Sequence, residues 1–157
     1  MSESVYIETS ILGYLTARST RDLIIAANIE LTRNWWNARR KDFTLYISQA
    51  VLMETAQGDS EMAAQRLEIA NDFPLLDLNA DVEALATQFL SRSNLPPKAD
   101  VDAIHIAVAT VHGMNYLLTW NCKHIANAQI QSKLAEISLD FGYPLPLICT
   151  PYELLGE

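Results

Sequence analysis

The 157-residue chain has the length of one domain; half of it is hydrophobic and 19% charged, which excludes a disordered chain and allows a sizeable core. A net charge of −8 is a poor start for a general nucleic-acid binder, because phosphate contacts need Lys and Arg. The two cysteines, Cys122 and Cys149, match no zinc-site spacing and exclude a secreted disulfide framework, so free thiols in a reducing cytoplasm are expected.

In chain order, "VYIE" (Val5–Glu8) reads as a short strand. A long helix follows from about Thr20, its expected N-cap, to Arg40. "FTLYIS" (Phe43–Ser48) alternates and favours β structure. Ser48 can cap a helix running to Gln57, stopped by Gly58. Asp59 or Ser60 starts the next helix, to about Asn71, and "PLLDL" (Pro74–Leu78) is a third strand. Asn79 caps a helix to about Ser91, and "NLPPKA" is the clearest loop. "DVDAIHIAVATVHG" is a helix stopped at Gly113; "NYLLTW" is a fourth strand, residues 127–140 a helix and "LPLICT" a last strand. No repeat or linker interrupts positions 1–157, so one domain is expected. Alternating strands and helices predict an α/β sandwich with a mainly parallel central sheet flanked by helices.

"MSESVYIE" lacks the basic-then-apolar pattern of a leader, and runs such as "LIIAANI" are far too short to span a membrane. The expectation is a cytoplasmic protein with no membrane partner.

In such folds the site lies beyond the carboxyl ends of the strands. Four residues are expected there: Glu8 ends the first strand, Glu54 lies in the helix after the second, Asp102 opens the helix after the Pro-Pro loop, and Asn121 ends the fourth strand. Each also has a plainer use. Asp100 can cap its helix, Asp102 can favour the helix dipole, and Glu54 can be a solvated helix residue. Glu8 is harder to explain away, since a carboxylate on an apolar inner strand needs a cleft. The helix carrying Asp102 is apolar nearly all round, which argues for burial.

Two carboxylates about 5 Å apart repel by roughly 3 kcal/mol at an effective dielectric of about 20. Three such pairs cost on the order of 10 kcal/mol, comparable to the stability of a domain. The cluster therefore takes up protons or binds a cation. Oxygen ligands select Mg²⁺ or Mn²⁺, and such an ion with open positions suits phosphodiester hydrolysis.

"VYIETS", the Glu in the helix after the second strand, "DAIHIAVA" and "LLTWN" together resemble a PIN domain, in particular the VapC-type toxins of type II toxin–antitoxin systems. The resemblance spans nearly the whole chain. It implies a PIN-like three-layer sandwich and a Mg²⁺- or Mn²⁺-dependent ribonuclease acting on RNA. It also implies a homodimer and a cognate antitoxin. Glu8, Glu54, Asp102 and Asn121 then form the catalytic set, the first three as metal ligands. Thr9, Ser10, Asp100 and Thr119 are the supporting candidates. Arg18 and Arg21, within a basic cluster that also reads as a solvated helix end, are possible RNA contacts. The family pattern has Asp where this chain has Glu8 and Asn121. An amide oxygen can hold a metal or its water without adding charge. The alternative is a PIN-like RNA- or protein-binding module with weak or no catalysis.

The glycines form no dinucleotide or phosphate loop, and there is no nucleophile elbow. His105 and His112, on one helix, are expected in the core or at its boundary; His124 is a lesser candidate for the site. Of Trp35 and Trp36, which could stack bases, one is expected in the core and the other, with Tyr14, on a dimer or partner surface.

Overall fold

The structure, a computed structural model, describes residues 2–156; Met1 and Glu157, the ends of the expected 1–157 domain, lie outside the described residues. The strands are β1 (Glu3–Ile7), β2 (Phe43–Ser48), β3 (Leu75–Leu76), β4 (Tyr116–Leu118) and β5 (Leu147–Cys149). They form one all-parallel sheet in the order β3-β2-β1-β4-β5. The helices are α1 (Thr9–Leu15), α2 (Leu23–Arg39), α3 (Gln49–Thr55), α4 (Ser60–Ala70), α5 (Ala80–Arg92), α6 (Asp100–Val111) and α7 (Ala128–Asp140).

The chain steps from β1 outward to β2 and β3, then returns past β1 to β4 and β5. Right-handed crossovers in opposite directions send α1–α4 to one face and α5–α7 to the other. The packing follows, with α1 against α2, α3 and α4, and α5 against α6 and α7. Helices on both faces explain why Val5, Tyr6 and Ile7 are all buried rather than alternating. The sheet reverses its winding between β1 and β4, whose register pairs Ile7 with Leu118. A crevice opens at such a reversal, beyond the carboxyl ends of the strands.

Several local expectations are corrected. Residues 9–15 fold as α1, which the sequence reading left out: "TSILGYL" is short and carries Gly13 and β-branched residues, so its helical propensity is low. Its N-terminus is instead secured by the Glu8 carboxylate, which accepts from the Ser10 amide. The cap of α2 is Asp22, accepting from the amides of Ile24 and Ile25, and Thr20 lies outside it. Ser48 stands at the N-cap of α3 but makes no capping hydrogen bond; its hydroxyl turns to Tyr6. Asp100 is the first residue of α6, and the cap position falls to Ala99.

The two adjacent tryptophans and Tyr14 pack against other rings. Trp35 is fully buried beside Phe43, whereas Trp36 is half-buried, edge-on to Phe73 and under the Arg40 guanidinium. Tyr14 stacks on Trp120 with ring centroids 5.6 Å apart. The expected exposed patch of tryptophan and Tyr14 is therefore not formed. Among the described residues no helix is long and apolar enough to cross a membrane.

Candidate active site

Glu8 follows the last residue of β1 and is buried, with 5% of its surface exposed. Its Oε1 accepts from the Ser10 and Thr119 hydroxyls, each at 2.5 Å, and its Oε2 accepts from the Ser10 amide at 3.2 Å. Both hydroxyls are themselves oriented from β4's end. The Trp120 amide donates to Ser10 Oγ at 2.8 Å and the Asn121 amide donates to Thr119 Oγ1 at 2.9 Å. With each oxygen occupied as an acceptor, each hydroxyl proton is directed at Glu8. The carboxylate is thus held by neutral donors, and among the described residues no Lys or Arg pairs with Glu8, Glu54 or Asp102.

Glu54, on α3, is partly exposed. Its Oε1 accepts from Thr9 Oγ1 and from His105 Nε2, each at 2.6 Å. His105, on α6, is fully buried, and its Nδ1 lies 2.7 Å from the Tyr6 hydroxyl. Burial pushes the His105 pKa down, but the hydrogen bond to Glu54 and the charges of Glu8, Glu54 and Asp102 hold it above its ordinary value. Burial likewise pushes Glu54 up; the hydrogen bond and charge of His105, with the Thr9 hydroxyl, bring it below its ordinary value. Ligand atoms of Glu8, Glu54 and His105 lie within 4.8 Å of one another.

Asp102 occupies the first turn of α6 and is half-buried. Its Oδ1 accepts from Asn121 Nδ2 at 3.1 Å, and its Oδ2 pairs with His124 Nδ1 at 3.0 Å. Asn121 Oδ1 in turn accepts from the His124 amide at 3.0 Å. The structure therefore makes two linked groups, Glu8–Glu54–His105 and Asp102–Asn121–His124. The two groups meet on α6, which carries both Asp102 and His105.

The donor chemistry fits a hard divalent cation. Glu8 Oε2 has one weak donor, Glu54 Oε2 has no partner among the described hydrogen bonds, and each Asp102 oxygen keeps a lone pair. His105 Nε2 is already committed to Glu54, so oxygen dominates the set.

Of the supporting candidates, Thr9, Ser10 and Thr119 touch the carboxylates. Asp100 is exposed and lines a groove with Glu83, Thr87, Leu90 and Ile104 on the α5 side. Arg18 and Arg21 are exposed. Arg18 lines a cavity of about 460 Å³ with Thr20, Glu30, Arg33 and Asn34. Nothing in the sequence marks Tyr6 and Ser48 as site residues, and it predicts His105 in the core or at its boundary. His105 is indeed in the core, and it also reaches Glu54. Its signal was present: a histidine three residues after Asp102 lies on the same helical face.

Three comparisons bear on this geometry. The family model described as PIN domain matches residues 5–125. VapC20 of Mycobacterium tuberculosis, described as a sarcin-ricin loop cleaving toxin, superposes with a TM-score of 0.61 at 17% identity, covering 80% of this chain and 95% of that one. VapBC2 from Rickettsia felis, bound to a DNA fragment from its promoter, gives a TM-score of 0.54 at 17% identity, covering 94% of this chain and 98% of that one. No curated protein matches the sequence. At such identity the two structures speak for the fold, and the family model covers most of the chain, including Glu8, Glu54, Asp102 and Asn121. The chain belongs to the PIN domain family.

Proposed function

We propose that the protein is a Mg²⁺- or Mn²⁺-dependent endoribonuclease, the VapC-like toxin of a toxin–antitoxin pair. The observation that carries this reading is the buried Glu8 carboxylate. It has no Lys or Arg partner among the described residues, stands beside Glu54 and His105, and follows β1 where the sheet reverses its winding. A buried carboxylate cluster without Lys or Arg is poised for a cation. When bound, a divalent ion would supply Lewis acidity at a phosphodiester and activate a water.

The chain's own residues set the rest. Glu8, Glu54 and Asp102 would hold the ion. Ser10 and Thr119 fix Glu8, Thr9 and His105 fix Glu54, and Asn121 with His124 fixes Asp102. Arg18 and Arg21 are available for RNA phosphates, and Asp100 is a lesser candidate because it faces the α5 groove. Homodimerisation, a cognate antitoxin and a cytoplasmic location complete the reading. The sarcin-ricin loop named for VapC20 makes structured ribosomal RNA a substrate to test first.

Purified protein incubated with such RNA should cleave it in Mn²⁺ or Mg²⁺ and stop in EDTA. Cleavage that continues undiminished in EDTA would overturn the metal mechanism. A PIN-like binding module with little catalysis is the second reading, favoured by the Asn121 amide, which turns a proton rather than a lone pair toward Asp102. RNA binding without cleavage in either metal would support it.

A further inference from the structure

Behind Glu54 runs a buried chain of hydrogen bonds that the metal reading does not use. Ser48 Oγ lies 2.7 Å from the Tyr6 hydroxyl, which lies 2.7 Å from His105 Nδ1. His105 Nε2 then meets Glu54 Oε1 at 2.6 Å. Ser48, Tyr6 and His105 are each fully buried. They come from three elements, the N-cap of α3, β1 and α6, so no local turn accounts for their alignment.

We propose that Tyr6, anchored by Ser48, is a positioning residue for Glu54, acting through the His105 ring. The inference rests on the metal-dependent reading of the same site. A carboxylate only accepts, so Nε2 carries the proton facing Glu54. Tyr6 fixes the ring by its other nitrogen, since a phenol can donate to a bare Nδ1 or accept from a protonated one. The ring therefore points Nε2–H at Glu54 in both of its charge states. One Glu54 oxygen is thereby tied to α6 while Oε2 is left without a partner among the described hydrogen bonds. A freely turning carboxylate would have to be ordered when a cation binds, and the chain removes that cost beforehand.

The test is Tyr6→Phe, which keeps the ring and deletes the hydroxyl. In the metal-free wild type, the His105 Nε2 proton should give a slowly exchanging, carboxylate-shifted NMR signal. Tyr6→Phe should lose or broaden it and weaken Mn²⁺ binding roughly tenfold, with His124 unchanged. If Tyr6→Phe fails to fold, Ser48→Ala carries the test and should speed exchange of the same proton severalfold. An unchanged proton signal in the variant that folds overturns the proposal. A normal signal in wild type that binds no Mn²⁺ instead overturns the metal reading and leaves the positioning of Glu54 standing.

Discussion

Asn121 clamps Asp102 with a proton: its Nδ2 donates to Asp102 Oδ1 over 3.1 Å while its Oδ1 accepts from the His124 amide. The amide cannot be turned around, because a backbone N–H has only a proton to offer. The neutral residue in the turn beyond β4 therefore holds its neighbouring carboxylate in place by donation.

Asn121→Asp keeps an acceptor for the His124 amide but sets a second carboxylate against Asp102. That repulsion is on the order of 1–3 kcal/mol after solvent screening. The metal-free protein should melt several degrees lower, and Mn²⁺ should bind roughly tenfold tighter because the ion relieves the repulsion. Calorimetric titration and thermal melts with and without Mn²⁺ check both. Equal affinity would place Asn121 away from the ion.

Glu54→Gln and Asp102→Asn each remove one charge from the centre while keeping nearly the same shape. RNA cleavage should fall by at least about 100-fold in each. The circular dichroism spectrum should be unchanged, and metal-free stability should hold or rise for Asp102→Asn. Unfolding together with lost activity would show that the charge serves the fold.

The Glu54–His105 pair should shape the pH dependence of metal-free stability. The folded pKa of Glu54 lies below 4.5, so its contribution is present above that value and is lost as pH falls through the folded pKa. The folded pKa of His105 lies above 6.5, so its contribution is complete below that value and is lost as pH rises through the folded pKa. The pair therefore stabilises most between 4.5 and 6.5. Melting temperature measured across pH should peak in that window, and Glu54→Gln should flatten both limbs. A wild-type curve still climbing well above the window would contradict the assignment.

The two thiols should react differently. Cys122 is exposed, whereas Cys149 is buried at the end of β5 and its pKa is pushed up to about 12, chiefly by burial. An alkylating reagent at mildly alkaline pH should label one thiol in the folded protein and two after denaturation, as mass spectrometry can count. Rapid double labelling of the folded protein would mean that β5 opens.

Much of the site could be read in the sequence because its acids sit at punctuation marks. Glu8 directly follows β1, Asn121 lies in the turn just past β4, Glu54 follows a strand-to-helix turn, and Asp102 follows a Pro-Pro loop. What escaped was set by tertiary contacts. Ser48 has the sequence of a helix cap, yet its hydroxyl gives up that role for Tyr6, a residue 42 positions away. α1 depends on Glu8 as its cap and on burial of Ile11 and Leu12, neither of which local propensity reveals. Which of Trp35 and Trp36 enters the core could not be read, because no pattern announces Phe73 or Arg40 as neighbours of Trp36.

The bonds from Thr119 and Trp120 to the Glu8–Ser10 corner have a consequence for biosynthesis. Glu8 leaves the ribosome early with Ser10, but Thr119, which completes its hydrogen bonds, and Asn121 and His124, which hold Asp102, emerge only with β4 and the turn beyond it. A nascent chain therefore carries scattered acids and no assembled centre until β4 and His124 have been made. The order of the elements therefore makes assembly of the acidic centre a late event, one that waits for β4 and the turn beyond it.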